Sequence, residues 1–461
     1  MKYVSTRGQA PSTDFAGACL AGLAPDGGLY VPETFPQIAP PAKGEPYHEV
    51  AARILSAFAG EAIPLDDLKV LCQRAYSSFS HQCVAPLTQW GPDSWLMELH
   101  HGPTLAFKDV AMQIIAQIYD YLLERSGQRM MIVCATSGDT GGAAAAAFAG
   151  AKHADLVILH PHERISPVQR MFMTTTDAPN VINLALDGDF DDCQAIVKDM
   201  FGDRDFVARV NLSGVNSINW ARVAAQSVYY ATVQAALGGS LRFVVPSGNM
   251  GDALAGYVAA RCGLLSGGFE AVCAVNANDA LSRLFNTGVM SRASAVATPS
   301  PAMDISVPSN FERLLFEMTG RDAEAVRKTY DLYKQAGEAP LPDVAVSRLK
   351  CSGLSADSVS NDETLGEMRR FEGETGWLIC PHTAVGTFQA RRLKEADVKT
   401  VVLATAAAAK FPETVEEATG RKPVMPARAE ALYERKEVFE RMAPSLAAVR
   451  ERIELHAARS R

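Results

Sequence analysis

From Met130 onward the chain alternates short apolar runs, glycine-bearing loops and amphipathic or alanine-rich stretches, and this alternation constrains the fold more than any other feature. The runs are Met130 to Ala135, Leu156 to Leu159, Leu241 to Val245, Glu270 to Val275 and Thr400 to Ala404. They are largely β-branched or aliphatic and do not alternate with polar residues, which is the pattern of a strand covered on both faces. Covered strands separated by helical lengths pair in parallel with helices over them, so the expected class is α/β, with two parallel-sheet lobes. The stretch before Asp93 is rich in Gly and Pro, with helical periodicity from Tyr47 to Tyr76, and reads as a small N-terminal unit. Leu432, Val438, Met442, Leu446 and Val449 recur at mostly three- and four-residue steps and suggest a C-terminal helix or helix pair. The expected division is 1–93, 94–215, 216–426 and 427–461.

Composition narrows the partners. The chain has 44 Lys+Arg against 52 Asp+Glu, a formal charge of −8, which does not suit a polyanion such as nucleic acid. None of its 9 cysteines forms a C-x-x-C pair, so they read as free thiols of a reducing compartment. Neither a signal-peptide core nor a membrane-length apolar run is present, so the expectation is a cytoplasmic protein acting on a small molecule, monomeric or homodimeric.

Ligands of open α/β sheets bind where strands end and helices begin, because helix N-termini offer unpaired backbone N–H groups. Thr136 to Gly142 (TSGDTGG) is one such loop, and the hydroxyls of Thr136, Ser137 and Thr140 suit a carboxylate; taken alone, such a loop is more often a plain helix start. Pro246 to Asp252 (PSGNMGD) is a second, with Gly248 and Gly251 bracketing N–H groups in a shape that suits a phosphate or an ordinary tight turn. It lacks the ending of a P-loop and the spacing of a dinucleotide fingerprint. The third is Glu98 to Asp109 (ELHHGPTLAFKD), after which Met112, Ile115, Ile118, Tyr119 and Leu122 keep helical spacing. Lys108 therefore opens an amphipathic helix, where the dipole and apolar Phe107 both disfavour a charged ammonium and Asp109 suits the positive end. A lysine of lowered pKa is what Schiff-base chemistry requires, although most lysines at helix starts are surface charges. His100, His101, His160 and His162 come with no metal-ligand spacing, and no G-x-S-x-G serine elbow occurs.

Taken together, these motifs resemble the threonine synthases, pyridoxal-phosphate enzymes of fold type II (tryptophan-synthase-β-like). The resemblance rests on Ser5 to Gly8, Asp26 to Tyr30, His101 to Asp109, Thr136 to Gly141, Asn216 to Asn219 with Arg222, Pro246 to Gly251 and Ala409 to Pro412, in that order. It implies that pyridoxal 5'-phosphate forms a Schiff base with Lys108 and that Gly248, Asn249, Met250 and Gly251 hold its phosphate. It places Asp139 near the cofactor's phenolic oxygen and Thr405 at the pyridine nitrogen, where a hydroxyl in place of an acid restrains the electron sink. Thr136, Ser137 and Thr140 would receive the substrate carboxylate. Asn216, Ser217 and Arg222 would receive the substrate phosphate, with Arg supplying a charge-assisted fork. Read without the resemblance, Asn219 or Ser217 simply caps the helix that follows, and Arg222 is surface charge.

The implied reaction is that of a lyase of threonine biosynthesis: O-phospho-L-homoserine and water give L-threonine and phosphate by β,γ-elimination and β-hydration. In one respect the chain departs from the family. Thr405 to Lys410 reads TAAAAK where the family has TAHPAK, so Ala407 stands at the histidine position and an imidazole beside the ring is expected to be missing. Two other readings remain open: elimination from phosphothreonine- or serine-like substrates to an oxo acid and ammonia, and a catalytically silent cofactor-binding protein.

Overall fold

The computed structural model describes residues 1–136, 138–395 and 398–459. Two sheets organise it. The larger has the strand order Leu354–Ser358, Glu270–Val275, Leu241–Pro246, Lys399–Ala404, Ser94–Glu98, Leu87–Gly91. Its pairings are parallel except at the last strand, which forms an antiparallel hairpin with Ser94–Glu98. The smaller sheet is parallel throughout, in the order Glu440–Met442, Val181–Leu186, Ala154–Pro161, Met130–Ala135, Leu212–Gly214. Every residue of Leu241–Pro246 and of Ala154–Pro161 is buried, as the unbroken apolar runs require of strands covered on both faces.

The helix Trp220–Leu237 is apolar nearly all round and packs against Tyr47–Ala59, Lys108–Ser126 and Gly251–Arg261. A helix so enclosed cannot keep a solvated stripe, which is why Arg222, Gln226 and Gln234 on it are buried too. Asn219 is its N-cap, accepting from the Ala221 N–H and donating to Cys19 O and the Tyr119 hydroxyl.

The N-terminal motifs hold each other and the second lobe. Asp26 accepts from Ser5 Oγ and from the backbone N–H groups of Gln9, Ala10 and Gly28. Thr6 and Arg7 both donate to Glu312. Next to Glu312, the fully buried Arg313 donates to Tyr30 O, Ile218 O and the Asn310 side chain, and Asn310 donates to Ser217 O. The loop around 217 is therefore braced from the N-terminal unit.

Several elements differ from the sequence expectation. The periodicity from Tyr47 to Tyr76 is two helices, Tyr47–Ala59 and Leu65–Tyr76, because Gly60 takes φ +58° and Pro64 opens the next helix. Strand Ser94–Glu98, placed with the first lobe by sequence, pairs with Lys399–Ala404 in the larger sheet. The tail is not a helix pair. After a short turn of helix at Ala427–Glu430, Glu440–Met442 joins the edge of the smaller sheet, and only Leu446–Arg459 is a long helix, burying Val449 and Ile453. A three-residue edge strand with charged side chains carries no periodicity to read.

Candidate active site at the carboxyl ends of the strands

The lysine loop and the loop after Lys399–Ala404 are laced together. Leu99 N–H donates to Ala404 O (3.0 Å), Phe107 N–H to Thr405 O (2.7 Å) and Ala407 N–H to Leu105 O (3.0 Å). This lacing holds Leu105 at φ +60°, a conformation few non-glycine residues adopt, and puts Lys108 at the first position of Lys108–Ser126. The loop around Asp139 belongs to the smaller sheet, so the site lies where loops of both sheets meet.

Lys108 Nζ is 3.4 Å from Asp139 Oδ2, and Lys410 Nζ is 2.8 Å from Asp139 Oδ1. Gln169 Nε2 also donates to Oδ1, at 3.3 Å. Burial lowers the Lys108 pKa, and the nearby Lys410 and Arg222 charges lower it further, against the opposing pull of Asp139. Burial alone would raise the Asp139 carboxyl, but Lys410 and then Lys108 hold it well below the usual carboxylate range. Asp109 is buried as well, accepting from Thr104 N–H and Oγ1, and burial pushes it up to about 6.

Arg222 is not a surface residue: it is 3% exposed, and its Nε and Nη1 have no hydrogen-bond partner among the described residues. Burial brings its pKa down to about 10, with Cys134, Tyr229 and Asp252 as the electronegative groups around it. Asp252 accepts from the hydroxyls of Tyr229 and Tyr230, and burial pushes it up to about 6. Donors left unpaired in a buried site are rare, because each costs about 1–3 kcal/mol.

The Pro246 to Asp252 loop follows strand Leu241–Pro246 and starts the helix Gly251–Arg261. Met250, the N-cap of that helix, takes φ +61°, a left-handed conformation few non-glycine residues adopt. A Cβ on Gly248 would stand 2.9 Å from Ile305 Cγ1 and 3.1 Å from Met303 Cα, and one on Gly251 would stand 3.1 Å from Asn310 Nδ2. Asn249 accepts from Ser309 Oγ through its side chain and from Asn310 N–H through its carbonyl.

The remaining expected residues are placed as follows. Thr405 is buried at the end of its strand. Thr136 is buried, and its Oγ1 accepts from Gly138 N–H and Gly141 N–H, which leaves its own O–H to donate. Thr140 is partly exposed, as is Ser217, and Asn216 is exposed. Ser137 lies outside the described residues. Ala407 is partly buried and packs against the cluster of Leu105, Phe172 and Ala409. With Ala404, Ala406 and Ala408 it also lines a cavity of about 570 Å³ bounded by Glu98, His100, Thr383 and Arg421, and neither Lys108, Asp139 nor Arg222 lines that cavity.

Two residues escaped the sequence reading. Lys410, quoted there only as part of a motif, is fully buried. His382, in the first turn of the helix Pro381–Arg392, lies within electrostatic reach of Asp139, Lys108 and Lys410. Its Nε2 accepts from Ala302 N–H at 3.2 Å, which puts the proton of the neutral ring on Nδ1, an atom without a partner among the described residues. Burial brings its pKa down to about 3. A proline one residue ahead, a usual helix-start signal, was the available clue to His382.

Comparison with known proteins identifies the family. The sequence matches the family described as "Threonine synthase N terminus" over residues 2–76, "Pyridoxal-phosphate dependent enzyme" over 84–337 and "Threonine synthase, C-terminal" over 383–453. Threonine synthase of Pseudomonas aeruginosa is 43% identical over 95% of this chain and 94% of its own. The chain belongs to the threonine synthase family. A crystal structure of pyridoxal-phosphate-bound threonine synthase from Brucella melitensis superposes with a TM-score of 0.95 at 46% identity, covering 99% of both chains. The yeast threonine synthase structure gives 0.93 at 35% identity, again over 99% of each. The fold is fold type II, and the chain is a pyridoxal-phosphate-dependent lyase. No helix among the described residues is long and apolar enough to cross a membrane.

Proposed function

We propose that this chain makes L-threonine and phosphate from O-phospho-L-homoserine and water with Lys108 as its cofactor-bearing amine and Arg222 as the principal holder of the substrate phosphate. The observation that carries the reading is Arg222 itself: a buried guanidinium with two unpartnered nitrogens, close enough to Lys108 to lower its pKa. A buried, charged donor pair of this kind is well matched by an anion, and a planar fork matches a phosphate.

The residues fit pyridoxal phosphate. The loop Gly248 to Gly251 is crowded at both glycines and opens a helix, which suits it to hold the cofactor phosphate through backbone N–H groups, with Asn249 and Met250 contributing theirs. Thr405 offers a hydroxyl to the ring nitrogen and Asp139 an ionised carboxylate to its oxygen side. When bound, the cofactor supplies an aldehyde for an amine and a conjugated ring that accepts electrons from the substrate α-carbon.

The protein's own part is positioning and proton transfer. Burial makes the neutral amine of Lys108 more accessible than that of a solvated lysine, which suits Nζ to take the α-proton and return a proton later. Thr136, Ser137 and Thr140 orient the substrate carboxylate through donors. Arg222, with Asn216 and Ser217, holds the γ-phosphate where it leaves, and the bracing of Ser217 through Asn310 and Arg313 ties that loop to the N-terminal unit at Tyr30. Burial of Asp139 and Arg222, with Lys108 only 13% exposed, limits the water around the reacting groups.

The test is an absorbance spectrum of the purified holoenzyme before and after O-phosphohomoserine, with products identified. Threonine and phosphate in equal amounts support the reading. An oxo acid with ammonia would replace it with the elimination reading, and a spectrum unmoved by substrate would replace it with the silent one.

A further inference from the structure

Lys410 lies deeper than Lys108. Its side chain is 0% exposed, against 13% for Lys108. Its Nζ donates to Asp139 Oδ1 at 2.8 Å and to Thr104 O at 2.7 Å, and lies 4.8 Å from the centroid of the Phe172 ring. These contacts use the three donor directions of an ammonium. They also join separate parts of the chain: the loop after Lys399–Ala404, the lysine loop, the start of helix Asp139–Phe148 and helix Pro167–Thr174. Asp139 is therefore gripped more tightly from Lys410 than from Lys108, whose Nζ stands at 3.4 Å.

We propose that Lys410 is a positioning residue for the reaction, holding Asp139 fixed and ionised so that Lys108 faces a compensated ion pair rather than a bare carboxylate. The proposal rests on Lys108 being the cofactor-bearing amine. A bare buried carboxylate would favour the protonated, non-nucleophilic form of its only amine partner. With Lys410 already in place, that pull is divided. The groups acting on Lys108 are Asp139, Lys410 and Arg222, together with His382 and Cys134. Asp139 alone among the charged ones favours its protonation, Arg222 and Lys410 oppose it, and His382 is neutral across the working range. Lys410 takes no proton from substrate: it is saturated by its three contacts and acts through Asp139.

The test uses holoenzyme. Borohydride reduction and peptide mapping of the wild type comes first, because a label absent from Lys108 overturns the lysine assignment and the proposal with it. With the label on Lys108, the pH dependence of the bound cofactor's absorbance is compared in wild type, Lys410→Met and Lys410→Arg. The midpoint is expected to move up by about one pH unit in Lys410→Met and largely to return in Lys410→Arg, with kcat reduced and KM little changed. A wild-type midpoint in Lys410→Met overturns the proposal and leaves Lys410 a loop staple only, while the lysine assignment stands. Should Lys410→Met fail to fold, Asp139→Asn decides: the midpoint is expected to move down, and an unmoved midpoint overturns the proposal.

Discussion

Replacing Arg222 with methionine should stabilise the cofactor-free protein while damaging the enzyme, and the two effects come from one atom group. Methionine keeps much of the stem and removes a guanidinium whose Nε and Nη1 have no partner among the described residues. Burial has brought the Arg222 pKa from 12.5 to about 10, which corresponds to about 3 kcal/mol of cost to the folded state for keeping that charge. With an unfolding entropy of about 2.1 cal/mol/K per residue over this length, relief of about 3 kcal/mol raises Tm by about 3 °C. Loss of a charged hydrogen bond to the substrate phosphate costs about 1.5–3 kcal/mol, or about 10- to 100-fold in KM. Differential scanning calorimetry of the apo protein and initial-rate kinetics of the holoenzyme read the two effects separately. Inorganic phosphate should raise the Tm of the wild type and not that of Arg222→Met. A variant with unchanged KM, or one that melts lower than the wild type without phosphate, would refute the reasoning, since either means the guanidinium is already satisfied inside the protein.

Other perturbations follow from the same geometry. Lys108→Ala should abolish turnover and the cofactor's lysine-linked absorbance while circular dichroism stays that of the wild type, because Asp139 keeps Lys410 as its counter-ion. Gly248→Ala should weaken cofactor binding by at least about tenfold in a fluorescence titration, because its Cβ meets Ile305 at 2.9 Å and a main-chain carbon at 3.1 Å. His382 is held neutral with its pKa brought down to about 3, so its contribution to stability is present above the unfolded value near 6.5 and is lost as pH falls toward 3. Between pH 6.5 and 5 the wild type should therefore lose about 2 kcal/mol more than His382→Gln, read as a steeper drop in Tm.

How much of this was legible beforehand depended on what a residue's neighbours do to it. The runs Met130 to Ala135 and Leu241 to Val245 announced themselves because a central parallel strand must be apolar on both faces. Leu354–Ser358, at the sheet edge with Ser355 exposed, had no such run and was not seen. Lys108 was found because a lysine, an apolar neighbour and a helix start are adjacent in sequence. Lys410 meets Asp139 across 271 positions and His382 meets Ala302 across 80, so no local pattern marks them. The burial of Arg222 was not legible from its surroundings in sequence, since a helix so completely enclosed leaves no polar face to contrast with it; its proposed role toward a phosphate came from family resemblance alone.

The most direct measurement is where borohydride fixes the cofactor. Reducing the holoenzyme, digesting it and sequencing the labelled peptide should find the modification on Lys108, in the peptide that contains Thr104 to Asp109. A label on Lys410, the other amine bonded to Asp139, or no label on either lysine, would contradict the account.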